Sequence, residues 1–165
     1  MSIFSKSMFK PEASRGYSVI IGCGRLGSEL ASQMSDDGRE VTVIDENTDA
    51  FRKLSPSYGG LTVAGDASVL SVLKDAGLDN ADTVIAVTDD DNTNIMAAQA
   101  ASVLYHVPNI ICRVYDSERA CIYEDSGIRT ICPTALSIHE VDQVLEHEPC
   151  QPESEQFCMS REAAI

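Results

Sequence analysis

No run of about 18 consecutive apolar residues occurs in this sequence, so no segment of it reads as a transmembrane helix. Aromatic residues are scarce at 5%, although hydrophobic residues reach the 44% of an ordinary soluble core. Positive charge is also in short supply. Twelve Lys and Arg against 26 Asp and Glu leave a formal net charge of -14. That balance argues against non-specific nucleic-acid binding, which needs clustered cations to neutralise phosphates, and against docking on an anionic lipid surface. Its ordinary consequence is solubility through self-repulsion. The six cysteines, Cys23, Cys112, Cys121, Cys132, Cys150 and Cys158, form no C-x-x-C pair and no Cys/His cluster at zinc spacing. Cys23, Cys112 and Cys132 fall in apolar strands or their turns, where a free thiol behaves as a small hydrophobe. Reduced thiols of a cytosolic protein are the expectation. The stretch MSIFSKSMFKPEASRG at 1–16 has neither a continuous apolar h-region nor a small-residue cleavage site, so no secretory signal is expected there.

A length of 165 residues suits one domain with a real core and short ends. From Tyr17 onward, short β-branched runs alternate with longer helical patterns. Strands are expected at 17–22, 40–45, 61–64, 82–88, 109–114 and 129–132. A helix at 25–37 carries Leu26, Leu30, Ala31 and Met34 on one stripe and stops at Gly38. Asn47 is placed to cap a helix running to about Leu54, where Ser55-Pro56 breaks it. Asp66 is placed to cap a helix at 67–76 that stops at Gly77. A long helix at 92–106 ends before Pro108, and Ser117 caps another closed by Gly127. Pro133-Thr134 opens a last helix with Ile138, Val141, Val144 and Leu145 on one face.

Strands and helices alternating at this spacing imply parallel pairing through right-handed βαβ crossovers. Strands apolar on both faces need helices on both sides. The expected fold is therefore α/β, a doubly wound Rossmann-type parallel sheet of about six strands. Its expected extent is 17–147, between a flexible extension at 1–16 and a disordered acidic tail at 148–165.

The turn Gly22-Cys23-Gly24-Arg25-Leu26-Gly27 follows the first strand and opens the first helix of the first βαβ unit. Asp45 ends the next strand at the separation a dinucleotide fingerprint requires. In that pattern Gly22 permits the tight turn, Gly24 lets a phosphate approach the backbone, and Gly27 lets helix and strand pack closely. Amides at the helix start then point at the phosphates, aided by the helix dipole. Asp45 is suited to accept hydrogen bonds from both ribose hydroxyls, and Glu46 follows it. The Asp45 charge repels a 2′-phosphate, so NADP is disfavoured. Arg25 places positive charge where a terminal phosphate or a diphosphate bridge would lie, or else is a solvated or salt-bridged arginine. Asp66, in Gly65-Asp66-Ala67, sits at the same carboxyl edge of the sheet, as a nucleotide contact, an N-cap, or both. The run Asp89-Asp90-Asp91 supplies first-turn charge to the following helix and is not read as a metal site.

These features resemble the RCK/KTN nucleotide-binding domain, the TrkA N-terminal domain of Trk- and Ktr-type potassium-uptake regulators. The resemblance runs over roughly 17–147 and rests on VIIGCGRLG, VTVID, TVAGDAS, ADTVIAVTDDDNTN, IICRVYDSE and GIRTICP. It implies a cytoplasmic regulatory subunit, peripheral to the inner membrane face, whose ligands lie among ATP, ADP, AMP and NAD(H). It implies a membrane potassium channel or transporter subunit as partner, and assembly as a homo-oligomer. By the same resemblance Gly22, Gly24, Arg25 and Gly27 hold phosphates, Asp45 the ribose, and Asp66 the adenosine. Thr88 borders the pocket, and Arg113 reaches terminal phosphates or a neighbouring subunit. Family members commonly carry a second, smaller ligand-binding domain. This sequence shows one unit, so the expectation is a stand-alone module with a separately encoded companion, or a short member.

Two other classes compete. An NAD-dependent oxidoreductase needs a substrate surface and a proton donor beside the nicotinamide. No Tyr-x-x-x-Lys pair occurs, since Tyr115 is followed four residues later by Arg119, and His106, His139 and His147 fall near helix ends or on helices. An interaction module without a ligand would have no use for the glycine fingerprint and Asp45.

Overall fold

Strands that are apolar on both faces have to be covered on both, and that requirement organises the computed structural model, which describes residues 16–116 and 127–146. The chain divides into two compact units, Met1–Pro133 and Thr134–Ile165. In the first, β1 (Tyr17–Ile21), β2 (Glu40–Asp45), β3 (Leu61–Ala64), β4 (Thr83–Ala86), β5 (Asn109–Arg113) and β6 (Ile128–Ile131) form one sheet in the order β3-β2-β1-β4-β5-β6. Every pairing is parallel, with Val19 opposite Thr42 on one side and Val84 on the other. This is the expected doubly wound fold. The order reverses between β1 and β4, so a crevice opens there at the strands' carboxyl ends.

Alternation along β1 divides the core. Val19 and Ile21 point to the face covered by α2 (Leu70–Asp75) and α3 (Asp91–Val103), among Ile44, Leu73, Leu78 and Val84. Ile20 points to the other face and packs with Met34 of α1 (Arg25–Asp36), Val43 and Ile85. The buried Ala97, Ala98 and Ala101 let α3 lie close on β4 and β5.

Three local differences have physical causes. The segment capped by Asn47 is a short 3-10 helix, Thr48–Lys53, because Pro56 pushes Ser55 out of the helical region and leaves too little chain for α-turns. Asp66 does not cap α2. Its carboxylate accepts the Ser68 N–H at 2.7 Å, closing a local turn, and the helix begins at Leu70. β4 ends at Ala86, before the expected 88, because the Thr88 N–H is taken by the Asn94 side chain.

The last helix, α4 (Pro133–Glu146), opens at Pro133 as expected and runs on into the second unit, with Ile138, Val141, Val144 and Leu145 exposed. Among the described residues no helix is long and apolar enough to cross a membrane. The extension expected before residue 17, the helix expected after Ser117 and the tail expected at 148–165 lie outside the described residues, apart from Gly16.

Leu73 is fully buried, whereas Leu61 is 68% exposed on β3. Leu73→Ala is expected to cost about 2–5 kcal/mol in urea unfolding, and Leu61→Ala no more than about 0.5 kcal/mol.

Candidate functional site

The crevice at the switch point is a cleft of about 570 Å³, within the range of small-ligand pockets. Its floor is the turn between β1 and α1. Gly22 has φ +100, and a Cβ there would strike the Thr88 backbone, so the turn is pressed against the end of β4. Gly27 gives way to the Gly22 carbonyl, which occupies the space a Cβ would need. These two glycines are required by the protein's own packing. Gly24 is not: its φ is −73, and a Cβ built on it meets nothing within 4 Å. No side chain caps the start of α1. By contrast, Asp90 caps α3 by accepting the Thr93 N–H at 2.7 Å. The uncapped amide end of α1 therefore opens on the cleft beside the exposed Arg25.

The structure brings most of the expected residues together. Gly22, Gly24, Arg25, Leu26, Asp45, Glu46, Gly65, Asp66, Ala67, Thr88 and Arg113 all line the cleft. Gly27 and Cys23 do not. Gly27 acts beneath it through packing, and the Cys23 side chain is fully buried, its thiol donating to the Ala50 carbonyl at 3.4 Å. Asp45 and Asp66 stand on the β2–β3 side. Gly65 joins them, its N–H donating to the Asp45 carbonyl at 3.0 Å. Ser68, through its backbone N–H and then its hydroxyl, holds the exposed Asp66 carboxyl below the usual carboxylate range.

The opposite wall is built by a residue that sequence reasoning passed over. Asn94 is fully buried on α3. Its Oδ1 accepts from the Thr88 N–H at 2.8 Å and the Thr88 hydroxyl at 2.7 Å. Its Nδ2 donates to the carbonyls of Thr88 at 2.9 Å and Arg113 at 3.0 Å. One side chain thus ties the end of β4 to the end of β5. The Arg113 guanidinium also donates to the Thr88 carbonyl and lies over the Tyr115 ring, 5.0 Å from its centroid. Among the described residues its Nε is buried without a hydrogen-bond partner. The available signal was a polar residue on the stripe that carries Ala97, Ala98 and Ala101. Lys53, Asn47, Thr93 and Tyr115 also line the cleft and had not been expected.

The three adjacent aspartates diverge. Asp90 folds onto Thr93, Asp91 accepts the Tyr115 N–H at 3.0 Å, and Asp89 lines the cleft. Among the described residues no three His, Cys, Asp or Glu side chains are grouped to hold a metal ion.

Fold and cleft together define a doubly wound α/β domain with an open crevice at its topological switch point, the place where such folds take ligands. The TrkA-N domain model matches residues 18–133, and the chain belongs to the TrkA-N family. The Trk system potassium uptake protein TrkA of Streptomyces coelicolor is 42% identical over 113 residues, 68% of this chain and 51% of that protein. The protein of the same name from Vibrio alginolyticus is 31% identical over 136 residues, 78% of this chain and 30% of that protein. The chain therefore spans about half, or less, of the length of these relatives. A crystal structure of GsuK bound to ADP matches with a TM-score of 0.68 at 27% identity, over 82% of this chain and 35% of that one.

Asn94→Ala would strand backbone groups of Thr88 and Arg113, and is expected to cost about 3 kcal/mol in urea unfolding. Burial, reinforced by Asp91, pushes the Cys112 thiol from 9.0 up to about 12. The unfolded chain therefore ionises this thiol first. Its contribution to stability is full below about pH 9 and is lost as pH rises toward about 12. Guanidinium melts from about pH 8 to about pH 10.5 should show a smaller alkaline loss in Cys112→Ala than in the wild type.

Proposed function

We propose that the cleft binds an adenine nucleotide, ATP, ADP or AMP, or NAD(H), and that the chain is the nucleotide-responsive part of a regulator of potassium transport. The observation that carries this reading is Gly24. Neither its backbone angles nor its surroundings call for glycine, so the missing side chain makes room for something outside the chain. Its position at an uncapped helix start suits a phosphate. Asp45 would take the ribose hydroxyls and exclude a 2′-phosphate, which disfavours NADP. Asp66, with Glu46 and Ala67, would border the adenosine. Arg25 would face the outer phosphates, and the unpartnered Arg113 Nε would find an acceptor on a ligand reaching that wall.

The relatives' names and the ADP named with GsuK support the same reading. A membrane potassium channel or transporter subunit is the proposed partner. The proposed setting is cytoplasmic, at the inner face of the membrane, with the 17–147 domain working in a homo-oligomer and with any separately encoded companion. We read the role as regulatory rather than enzymatic. A ligand shifts such an assembly only by the difference in its affinity for two shapes. The outer phosphates that distinguish ATP from ADP fall where Arg25 and Arg113 can register them.

Calorimetric titration with ATP, ADP, AMP, NAD and NADH tests the proposal. At least one is expected to bind. Gly24→Ala is expected to melt like the wild type yet to bind at least about tenfold more weakly, a change of about 1.4 kcal/mol. Absence of binding by any of the five, or undiminished binding by Gly24→Ala, would overturn it.

A further inference from the structure

Cys23, the central residue of the Gly-Cys-Gly turn, is held at three points by the last residue of β2 and the segment that follows it. Its N–H donates to Asp45 Oδ2 at 2.7 Å. Its thiol donates to the Ala50 carbonyl at 3.4 Å, and its own carbonyl accepts from Lys53 Nζ at 3.5 Å. Asp45 is itself oriented, because its Oδ1 accepts the Asn47 N–H at 2.8 Å. The peptide on either side of Cys23 is thus gripped by a carboxylate and an ammonium from one short stretch of chain. Burial and the Asp45 charge raise the Cys23 thiol, with Lys53 opposing, so the thiol stays protonated and able to donate.

We infer that Asp45 and Lys53 are positioning residues for the phosphate-binding turn, so that Asp45 acts on the phosphate end of a ligand as well as on its ribose. The inference rests on the nucleotide reading above. A carboxylate carries about four acceptor sites. With one on Cys23 and one on Asn47, Asp45 retains acceptors for sugar hydroxyls. The turn joins β1 directly to α1, so fixing Cys23 fixes the direction in which the next amides point. Ribose and phosphate subsites are then coupled through one side chain.

The test uses 2′,3′-dideoxy-ATP, which offers Asp45 no hydroxyl to hold. Coulomb's law alone predicts that removing a carboxylate near a polyanion tightens binding. The clamp predicts the opposite sign. Asp45→Ala is expected to weaken 2′,3′-dideoxy-ATP by about tenfold, and Asp45→Asn, which keeps one acceptor oxygen, by less. Amide hydrogen exchange at Cys23 reads the clamp without any ligand and should accelerate in both variants. Lys53→Met should weaken the same ligand, with Lys53→Arg restoring it. Unchanged or tighter binding of the dideoxy nucleotide by both Asp45 variants, or unchanged exchange at Cys23, would overturn the inference while leaving the nucleotide reading intact. A wild type that binds neither ATP nor its dideoxy analogue would overturn the nucleotide reading itself.

Discussion

Everything in the cleft depends on backbone meeting backbone where β1 turns into α1. The Gly22 carbonyl sits in the space that a side chain on Gly27 would fill, and Gly22 itself lies against the Thr88 main chain. The β1–α1 turn and the segment after β4 come together at a distance that only glycine permits at positions 22 and 27. α1 begins at Arg25, directly after Gly24, and no side chain caps its start. Close packing normally removes space from a protein interior. Here the free space lies farther along the turn, at Gly24, where no described residue requires it.

The proposed anion seat, in a chain of net charge -14, has to be a local construction. The cleft is lined by Asp45, Glu46, Asp66, Asp89 and Asp90 as well as by Arg25, Lys53 and Arg113. Most of the carboxylates have a structural occupation within the fold. Asp45 holds Cys23 and Asn47, Asp66 holds Ser68, and Asp90 caps α3. Their charge is partly committed to backbone N–H groups. The α1 amides and the Arg25 side chain, in contrast, face the cleft from an uncapped helix start. On the proposed reading, this division is how an acidic domain would receive a phosphate without a basic patch.

The β4–β5 wall follows a different logic. Asn94 is a buried polar group whose donors and acceptors are all used, and such a network specifies one arrangement rather than adding much net stability. By joining Thr88 to Arg113 it makes the two strand ends move together, and Asp91 extends the connection to Tyr115. A ligand that engages Arg113 would thus act on β4, β5 and α3 as one body.

The element order, the doubly wound class, the glycine turn and Asp45 were all legible in the residues. Each rests on stereochemistry that operates within a few positions: β-branched runs apolar on both faces, caps, and backbone angles open to glycine. Where two local outcomes compete closely, as at Asp66, the sequence pointed to the cap and the chain took the turn to Ser68 instead. Lys53, Asn94 and the bond from the Cys23 N–H to Asp45 lay beyond reach for another reason. Their partners are Cys23, Thr88 and Arg113, which become neighbours only when parallel strands pair in one register and helices settle at one depth. Periodicity says which face of an element is buried. It does not say which buried polar atom will meet another across the sheet, because that is fixed by distances between segments that no local preference encodes.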